Sequence, residues 1–365
     1  MQYKFFATES RIIDLITFPE CLRFSEKKSR DLDIDYYNDY ILEDTFEYYE
    51  ALATKLKPFE KEINRFYFSN LSMPVMLTKL HSFFGYDSVD SYLNKLKNLT
   101  EDELLRSFLS KIYASITEND KILHAEDIYD EVTKYMNDKN KQIDLLEQLD
   151  ANDEEKWKIS SLLRQPKTMT NDWISLIETL IPLFENEYKL KESKIIEFGK
   201  FVEKKLNDSN GDALPTMTDN LLNKKLLPSG NILISFINSY ALEINTSDKT
   251  PYLRWGIDVE DFLELIQNAK ENELKDRVLL FKNLGDKTRY EVIKLIAQGA
   301  TSAKEIATTL NVSQATISYH LNNLISSKLL ILERDNSKYI HKINFEILES
   351  AYKSMIADFT PNQNK

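Results

Sequence analysis

The chain has 365 residues, with 47 Lys and Arg against 59 Asp and Glu, giving a net charge of −12. That length accommodates two or three domains, and 42% hydrophobic residues can furnish real cores. The acidic balance excludes a protein that coats nucleic acid over its whole surface, and seven glycines and nine prolines argue against a loop-rich β fold. Cys21 is the single cysteine, so no internal disulfide can form. No run of about 18 apolar residues predicts a membrane span. The opening MQYKFFATES lacks the basic start and apolar run of a signal peptide, so a cytoplasmic protein is expected.

In chain order, residues 3–8 read as a short strand, and Ser10 as the cap of a helix to residue 24 with Ile12, Ile13, Leu15 and Ile16 buried and Pro19 interrupting. A charged stretch at 25–35 follows. Helices are expected over 37–56, 60–68, 74–84, 88–96, 101–115, 125–149 and 153–164, and over 171–206 as one long helix or two divided near Pro182. Glu101, Asp102 and Glu103 place negative charge at a helix start, where the dipole favours it. Residues 230–236 and 240–245 read as strands with a turn at Asn238-Ser239 between them, and 251–257 is a candidate third strand. Helix resumes over 258–280.

The stretch from 302 to 330, SAKEIATTLNVSQATISYHLNNLISSKLL, has the most specific pattern. Ile306 and Leu310 share a face of one short helix, while Ala303 and Ala307 allow close approach of another. Asn311 suits a left-handed turn, and Ser313 is a good N-cap. In the second helix Ile317, Leu321, Leu324 and Ile325 form the apolar stripe, and Gln314, Thr316, Ser318, Tyr319, Asn322 and Asn323 lie opposite. This is the pattern of a helix-turn-helix, whose second helix enters the DNA major groove by its N-terminal end. A helix around Val292, Ile293 and Ile296 precedes it. Residues 329–334 and 338–343 read as two strands around a turn, forming a wing. Charge shifts here too: residues 275–358 carry 12 Lys and Arg against 9 Asp and Glu, while residues 1–274 carry 34 against 50. The expected fold is therefore mainly α, a helical N-terminal domain with a small β-hairpin or sheet followed by a C-terminal winged helix-turn-helix.

Residues 279–343 resemble the winged helix-turn-helix of the ArsR/SmtB transcriptional regulators. The resemblance rests on LGDKTRYEVIKLI at 284–296, on Ser313, Ile317, Ser318, His320 and Leu321, and on Lys328-Leu329-Leu330 leading into the wing. It covers under a quarter of the chain. The N-terminal part is similar to the long helical extension that some members carry. The resemblance implies a domain of residues 1–270 with a regulatory or sensor role and a small β element near 230–257. It further implies a DNA-binding and dimerisation domain at 271–359, with a tail at 360–365. Homodimer contacts are implied through the helices before the motif and after the wing, with Val278, Leu279 and Phe281 on the first and Ile347, Leu348, Tyr352 and Ile356 on the second. A small-molecule or protein effector acting on the N-terminal domain is implied as well. Well-known members sense metals through cysteines in the first helix of the motif; SAKEIA at 302–307 has none.

The expected partner is double-stranded DNA. Ser313, Gln314, Thr316, Ser318 and Tyr319 stand at the base-facing end, where Gln can pair with adenine and a Thr methyl can meet a thymine methyl. The second helix carries no Lys or Arg, so phosphate anchoring is assigned to Lys304, Lys328, Arg334 and Lys338. No catalytic residue, cofactor or metal is expected. His81, His124, His320 and His341 lack metal-ligand spacing, and neither GxGxxG nor GxxxxGK[ST] occurs. The aromatic load of the N-terminal part, including Tyr36, Tyr37, Tyr40, Phe46, Tyr48, Tyr49, Phe66, Tyr67 and Phe68, reads as core packing or as the lining of a pocket. Two competing classes remain: an interaction scaffold that uses the winged helix for docking, and an enzyme with an appended DNA-binding domain.

Overall fold

Side-chain caps decide where many helices of this chain begin. Ser88 and Asn152 form reciprocal capping boxes with Ser91 and Glu155, and Asp138, Asp286, Ser302, Ser313 and Asn344 each accept from a backbone N–H of the following turn. The protein is described by a computed structural model for residues 1–23, 43–68, 71–117, 125–218, 221–245, 250–261, 263, 272–335 and 338–360. It divides into two compact units between Leu263 and Glu264.

The first unit holds α1 (Ala7–Thr17), α2 (Glu43–Leu56), α3 (Glu60–Phe66), α4 (Met73–Thr78), α5 (Val89–Lys97), α6 (Glu101–Thr117), α7 (Ala125–Glu131), α8 (Thr133–Met136), α9 (Lys139–Glu147), α10 (Asp153–Arg164), α11 (Pro166–Asp208) and α12 (Leu214–Met217). A four-stranded sheet accompanies them: β1 (Lys4–Phe5), β2 (Asn231–Ser235), β3 (Leu242–Asn245) and β4 (Tyr252–Gly256), in the order β1-β2-β4-β3. β1–β2 and β2–β4 are parallel, and β3–β4 is antiparallel. β2 and β4 are buried nearly throughout, with Arg254 a charged side chain inside the otherwise apolar interior of β4.

The 43-residue α11 is the beam of this unit, packing on α1, β1, β2, α3, α5, α6 and α10. Pro166 opens it, where the missing N–H is not needed, and Pro182 is absorbed inside it. Trp173, fully buried, donates to the Tyr67 hydroxyl at 3.0 Å, which donates in turn to Ile16 O at 2.7 Å. The outer edge of β1 is completed by α11 side chains rather than by another strand. Asn207 accepts from Tyr3 N and donates to Tyr3 O, and Glu203 accepts from Phe5 N at 2.8 Å. Gly199 makes this approach possible, because a Cβ there would sit 2.6 Å from the Phe5 ring. Inside, Phe18, Phe184, Tyr188 and Phe236 pack ring to ring. Tyr49, Phe66, Tyr67 and Phe68 are core residues as well; Tyr36, Tyr37 and Tyr40, the side chain of Phe46, the charged stretch and His124 lie outside the described residues.

Five sequence expectations need correction. The strand at the N-terminus is only two residues long, because α1 starts at Ala7. Ser10 is therefore not a cap: it is buried inside α1, donating to Phe6 O and accepting from Ile234 N. The helix expected over 74–84 stops at Thr78; beyond it Ser82 accepts from Phe84 N and donates to Thr250, turning the chain. The helix expected over 125–149 is three helices, since Asp138 caps a new start by accepting from Asn140 N and Lys141 N. Finally, 230–236 and 240–245 do not pair with each other. β4 inserts between them, so the hairpin is β3–β4.

The second unit contains α13 (Asn272–Gly285), α14 (Lys287–Ala297), α15 (Ala303–Leu310), α16 (Gln314–Ser326), the antiparallel pair β5 (Leu330–Asp335) and β6 (Lys338–Ile343), and α17 (Phe345–Phe359). Leu280, Val292, Ile296, Ile306, Ala307, Ile317, Leu321, Leu324, Leu329, Leu330 and Ala351 form one apolar core. The fold is mainly α, with the helix-turn-helix in the C-terminal unit.

Candidate nucleic-acid interface

The apolar stripe of α16 fixes which residues it can show to a ligand. Ile317, Leu321 and Leu324 are buried against α14, α15 and β5, so the opposite face is held outward by the core itself. The turn before it is set by Asn311, left-handed at φ 55°, and its side-chain type tolerates that conformation. Its N–H reaches back to Thr308 O, and Val312 N to Ala307 O, closing the end of α15. Ser313 then caps α16, accepting from Thr316 N at 3.0 Å.

The expected contact residues divide by position. Ser318 is exposed near the start of α16, while Gln314, Thr316 and Tyr319 are half-buried on the same N-terminal turns. The Ser313 hydroxyl is committed to the cap and lies 2.9 Å from the Thr316 hydroxyl, so these two act as one hydrogen-bonded pair at the tip. Tyr319 lies edge-on to His320 with ring centroids 5.5 Å apart. Lys304 is exposed on α15. Lys328 sits beyond the far end of α16, about 20 Å along the axis from Gln314 at 1.5 Å per residue. It takes a left-handed φ of 60° as the chain turns into the wing. Arg334 pairs with Tyr339 and Lys338 with Asp335 in the wing ladder; the side chains of Arg334 and Lys338 lie outside those described.

Asn322, on the polar face expected from the sequence, and Ala315, which the sequence did not single out, are both exposed, four residues after and three before Ser318. Helical spacing alone groups them with it, but the search for hydrogen-bonding types passed over Ala315. Val312, 37% exposed, adds an apolar contact at the turn. Together, Ala315, Ser318 and Asn322 form a small, neutral ridge that a groove floor can approach closely.

The wing is bound to the motif through its base: Leu329 and Leu330 are buried, and Asn344 N donates to Leu329 O at 2.9 Å. On β6, burial pushes His341 below its ordinary value of 6.5. α13 and α17 pack together with Arg277 and Asp358 joined at 2.8 Å. Their apolar positions split into two sets. Phe281, Ile347 and Leu348 pack on the core, whereas Leu274, Val278, Tyr352, Ile356 and Phe359 are exposed. Among the described residues, no three His, Cys, Asp or Glu side chains are grouped to hold a metal ion, and no helix is long and apolar enough to cross a membrane.

Comparison with known proteins finds the same module. Residues 284–333 match a family described as "Helix-turn-helix domain". The arsenical resistance operon repressor of Staphylococcus aureus is 27% identical over 89 residues, 24% of this chain and 86% of that protein. The arsenical resistance operon repressor of Staphylococcus xylosus is 27% identical over 75 residues, covering 20% of this chain and 72% of that protein. The transcriptional repressor SdpR of Bacillus subtilis (strain 168) is 29% identical over 77 residues, 21% of this chain and 86% of that protein. No solved structure matches the chain significantly. The buried stripe, the left-handed turn, the wing and these relatives agree: the C-terminal unit is a winged helix-turn-helix similar to those of the ArsR-type repressors, and the chain that carries it is a DNA-binding transcriptional regulator.

Proposed function

We propose that this regulator is a repressor that binds a dyad DNA site as a homodimer, with its DNA affinity adjusted by an effector or partner at the N-terminal unit. The observation that carries this reading is the outward ridge of α16, held rigid by Ile317, Leu321 and Leu324 beneath it. In this reading Gln314, Thr316, Ser318 and Tyr319 meet base edges, the capped tip at Ser313 approaches the backbone, and Lys304, Lys328, Arg334 and Lys338 anchor phosphates. The exposed apolar positions on α13 and α17 supply the twofold contact, since a C2 interface uses the same patch on both subunits. Repression is taken from the relatives' names. The 1–270 domain supplies the regulatory input, and 271–359 the DNA-binding and dimerisation surfaces.

The test is sequence-selective binding of genomic fragments by the full chain, followed by footprinting. A footprint with two half-sites about 10 base pairs apart or a multiple of that is expected. Gln314→Ala combined with Ser318→Ala should erase sequence preference while leaving weak general binding. Unchanged selectivity in that double variant removes the assignment of α16.

One observation favours a second reading, protein docking: α16 carries no Lys or Arg. Docking predicts no selective footprint and an interaction insensitive to Lys304 or Lys328 substitution.

A further inference from the structure

A cleft of about 270 Å³ lies where α10 ends and α11 begins, within the first unit. One wall is a single face of α10. Trp157, Ser161 and Arg164 follow one another at i, i+4 and i+7, so all three lie on that face, and Gln165 lines the cleft where the chain passes from α10 to α11. Arg65 and Met169 form the other side.

Two features of the cleft run against the rest of the unit. First, Trp157 is 65% exposed, whereas Trp173 and Trp255 are each 0% exposed. An indole left in water forgoes the largest apolar burial any side chain offers. Second, cations converge on it although residues 1–274 carry 50 acidic against 34 basic side chains. The cations are not equivalent. Arg65 is held by Asp172 at 2.9 Å and by the Met169 sulfur, and Lys158 by Glu154 at 2.7 Å beside the Phe68 ring. Arg164 is different: among the described residues its one hydrogen bond is a long 3.4 Å contact to Ser161 Oγ. Its guanidinium is left with donors in a planar fork in the cleft that the exposed Trp157 also lines.

We infer that this cleft binds a small planar aromatic anion, with its ring on Trp157 and its acid group on Arg164. The indole supplies a flat apolar platform, and guanidinium recognises carboxylate or phosphate through paired N–H donors. Gln165 and Ser161 provide further hydrogen-bonding groups at the rim. The volume suits one or two rings rather than a larger ligand, lying just under the usual range of about 300–1,000 Å³ for ligand pockets. A carboxylate and a phosphate share this chemistry. The cleft belongs to the first unit and shares no residue with the DNA-reading helix.

The test is calorimetric titration of the full chain, paired with indole fluorescence, using benzoate, adenosine monophosphate, acetate and benzyl alcohol. Saturable binding with quenching of the exposed indole is expected for an aromatic anion. Benzoate alone identifies a carboxylate ligand, and adenosine monophosphate alone a phosphate ligand. Arg164→Gln should weaken binding roughly tenfold, as loss of a charge-assisted pair does. Trp157→Ala should abolish the quenching, while Trp157→Tyr should keep binding. Both side chains are exposed, so these variants are expected to fold, which circular dichroism checks. Binding of acetate or benzyl alcohol as tight as that of benzoate overturns the inference. So does the absence of saturation with either aromatic anion, or affinity unchanged by Arg164→Gln.

Discussion

Asp14 and Arg254 meet at 2.7 Å inside the first unit, the carboxylate fully excluded from water. Arg254 also donates to Thr17 Oγ1, and Asp14 accepts from Ser235 Oγ at 2.6 Å and Phe236 N at 2.9 Å. One ion pair thereby joins α1, β2 and β4. Burial pushes the Asp14 carboxyl up, against the pull of Arg254 and the two hydrogen bonds. Asp14→Asn leaves the buried guanidinium with only the part-exposed Glu243 carboxylate, at 3.6 Å, as counter-charge, and should cost about 3 kcal/mol. Urea unfolding followed by near-ultraviolet circular dichroism checks this; a midpoint shift equivalent to less than 1 kcal/mol (a roughly fivefold change in the unfolding equilibrium) contradicts it.

The turn of the helix-turn-helix predicts a contrast at one position. Asn311 occupies left-handed space at φ 55°. Asn311→Gly should leave stability nearly unchanged, while Asn311→Val should cost roughly 1–2 kcal/mol because a branched Cβ clashes there. Hydrogen exchange of the α15 and α16 amides separates the two variants, with only the valine variant exchanging faster.

His341 predicts a pH response in the winged unit. Its folded value lies below 6.5 because of burial, so the unfolded chain takes up the proton first as pH falls. Stability should be full above about pH 6.5 and decline as the pH drops through the folded value. His341→Gln should flatten that decline. An unchanged slope between neutral and mildly acidic pH in the variant would count against the buried imidazole as its source.

Phosphate anchoring makes a quantitative claim about salt. Lys304→Ala should weaken DNA binding uniformly across sequences and lower the slope of log affinity against log salt by about 1. Loss of sequence preference with the slope intact would place Lys304 at a base edge instead.

The exposed apolar patch on α13 and α17 carries the dimer proposal. Val278, 58% exposed, and Tyr352, also 58% exposed, can be replaced without opening the core. Val278→Asp with Tyr352→Asp should give monomers in sedimentation and reduce affinity for a two-half-site operator far more than for a single half-site. A dimer that persists in this variant moves the interface elsewhere.

Legibility in the sequence followed the range over which each signal acts. Ser313, Asn311 and the stripe through Ile317 and Leu321 work within a few residues, and the helix-turn-helix could be read from them. The wing followed from the turn between its two strands. Pairing in the sheet could not be read this way, because β4 enters between β2 and β3 and the local turn signal at Asn238-Ser239 says nothing of insertion. Pro182 was ambiguous for a related reason: packing along α11 decides whether one missing hydrogen bond ends a helix. The contact ridge was partly legible, since Ser318 was chosen for its chemistry while exposed Ala315 could be chosen only from its position.

The clamp on β1 has a consequence for how the protein comes into being. Tyr3 is held by Asn207, 204 positions later, and Lys4 pairs with Asn231. β1 is synthesised about 200 residues before Asn207 and Asn231, so its backbone waits for most of the unit before it finds partners. Contacts so distant in sequence slow folding and leave apolar strands uncovered meanwhile. The winged unit closes through neighbours within a single short segment and is free of that delay. A nascent chain halted before residue 207 should still be open to chaperones and proteases at its first helix, whereas one extended past Gly256 should protect it.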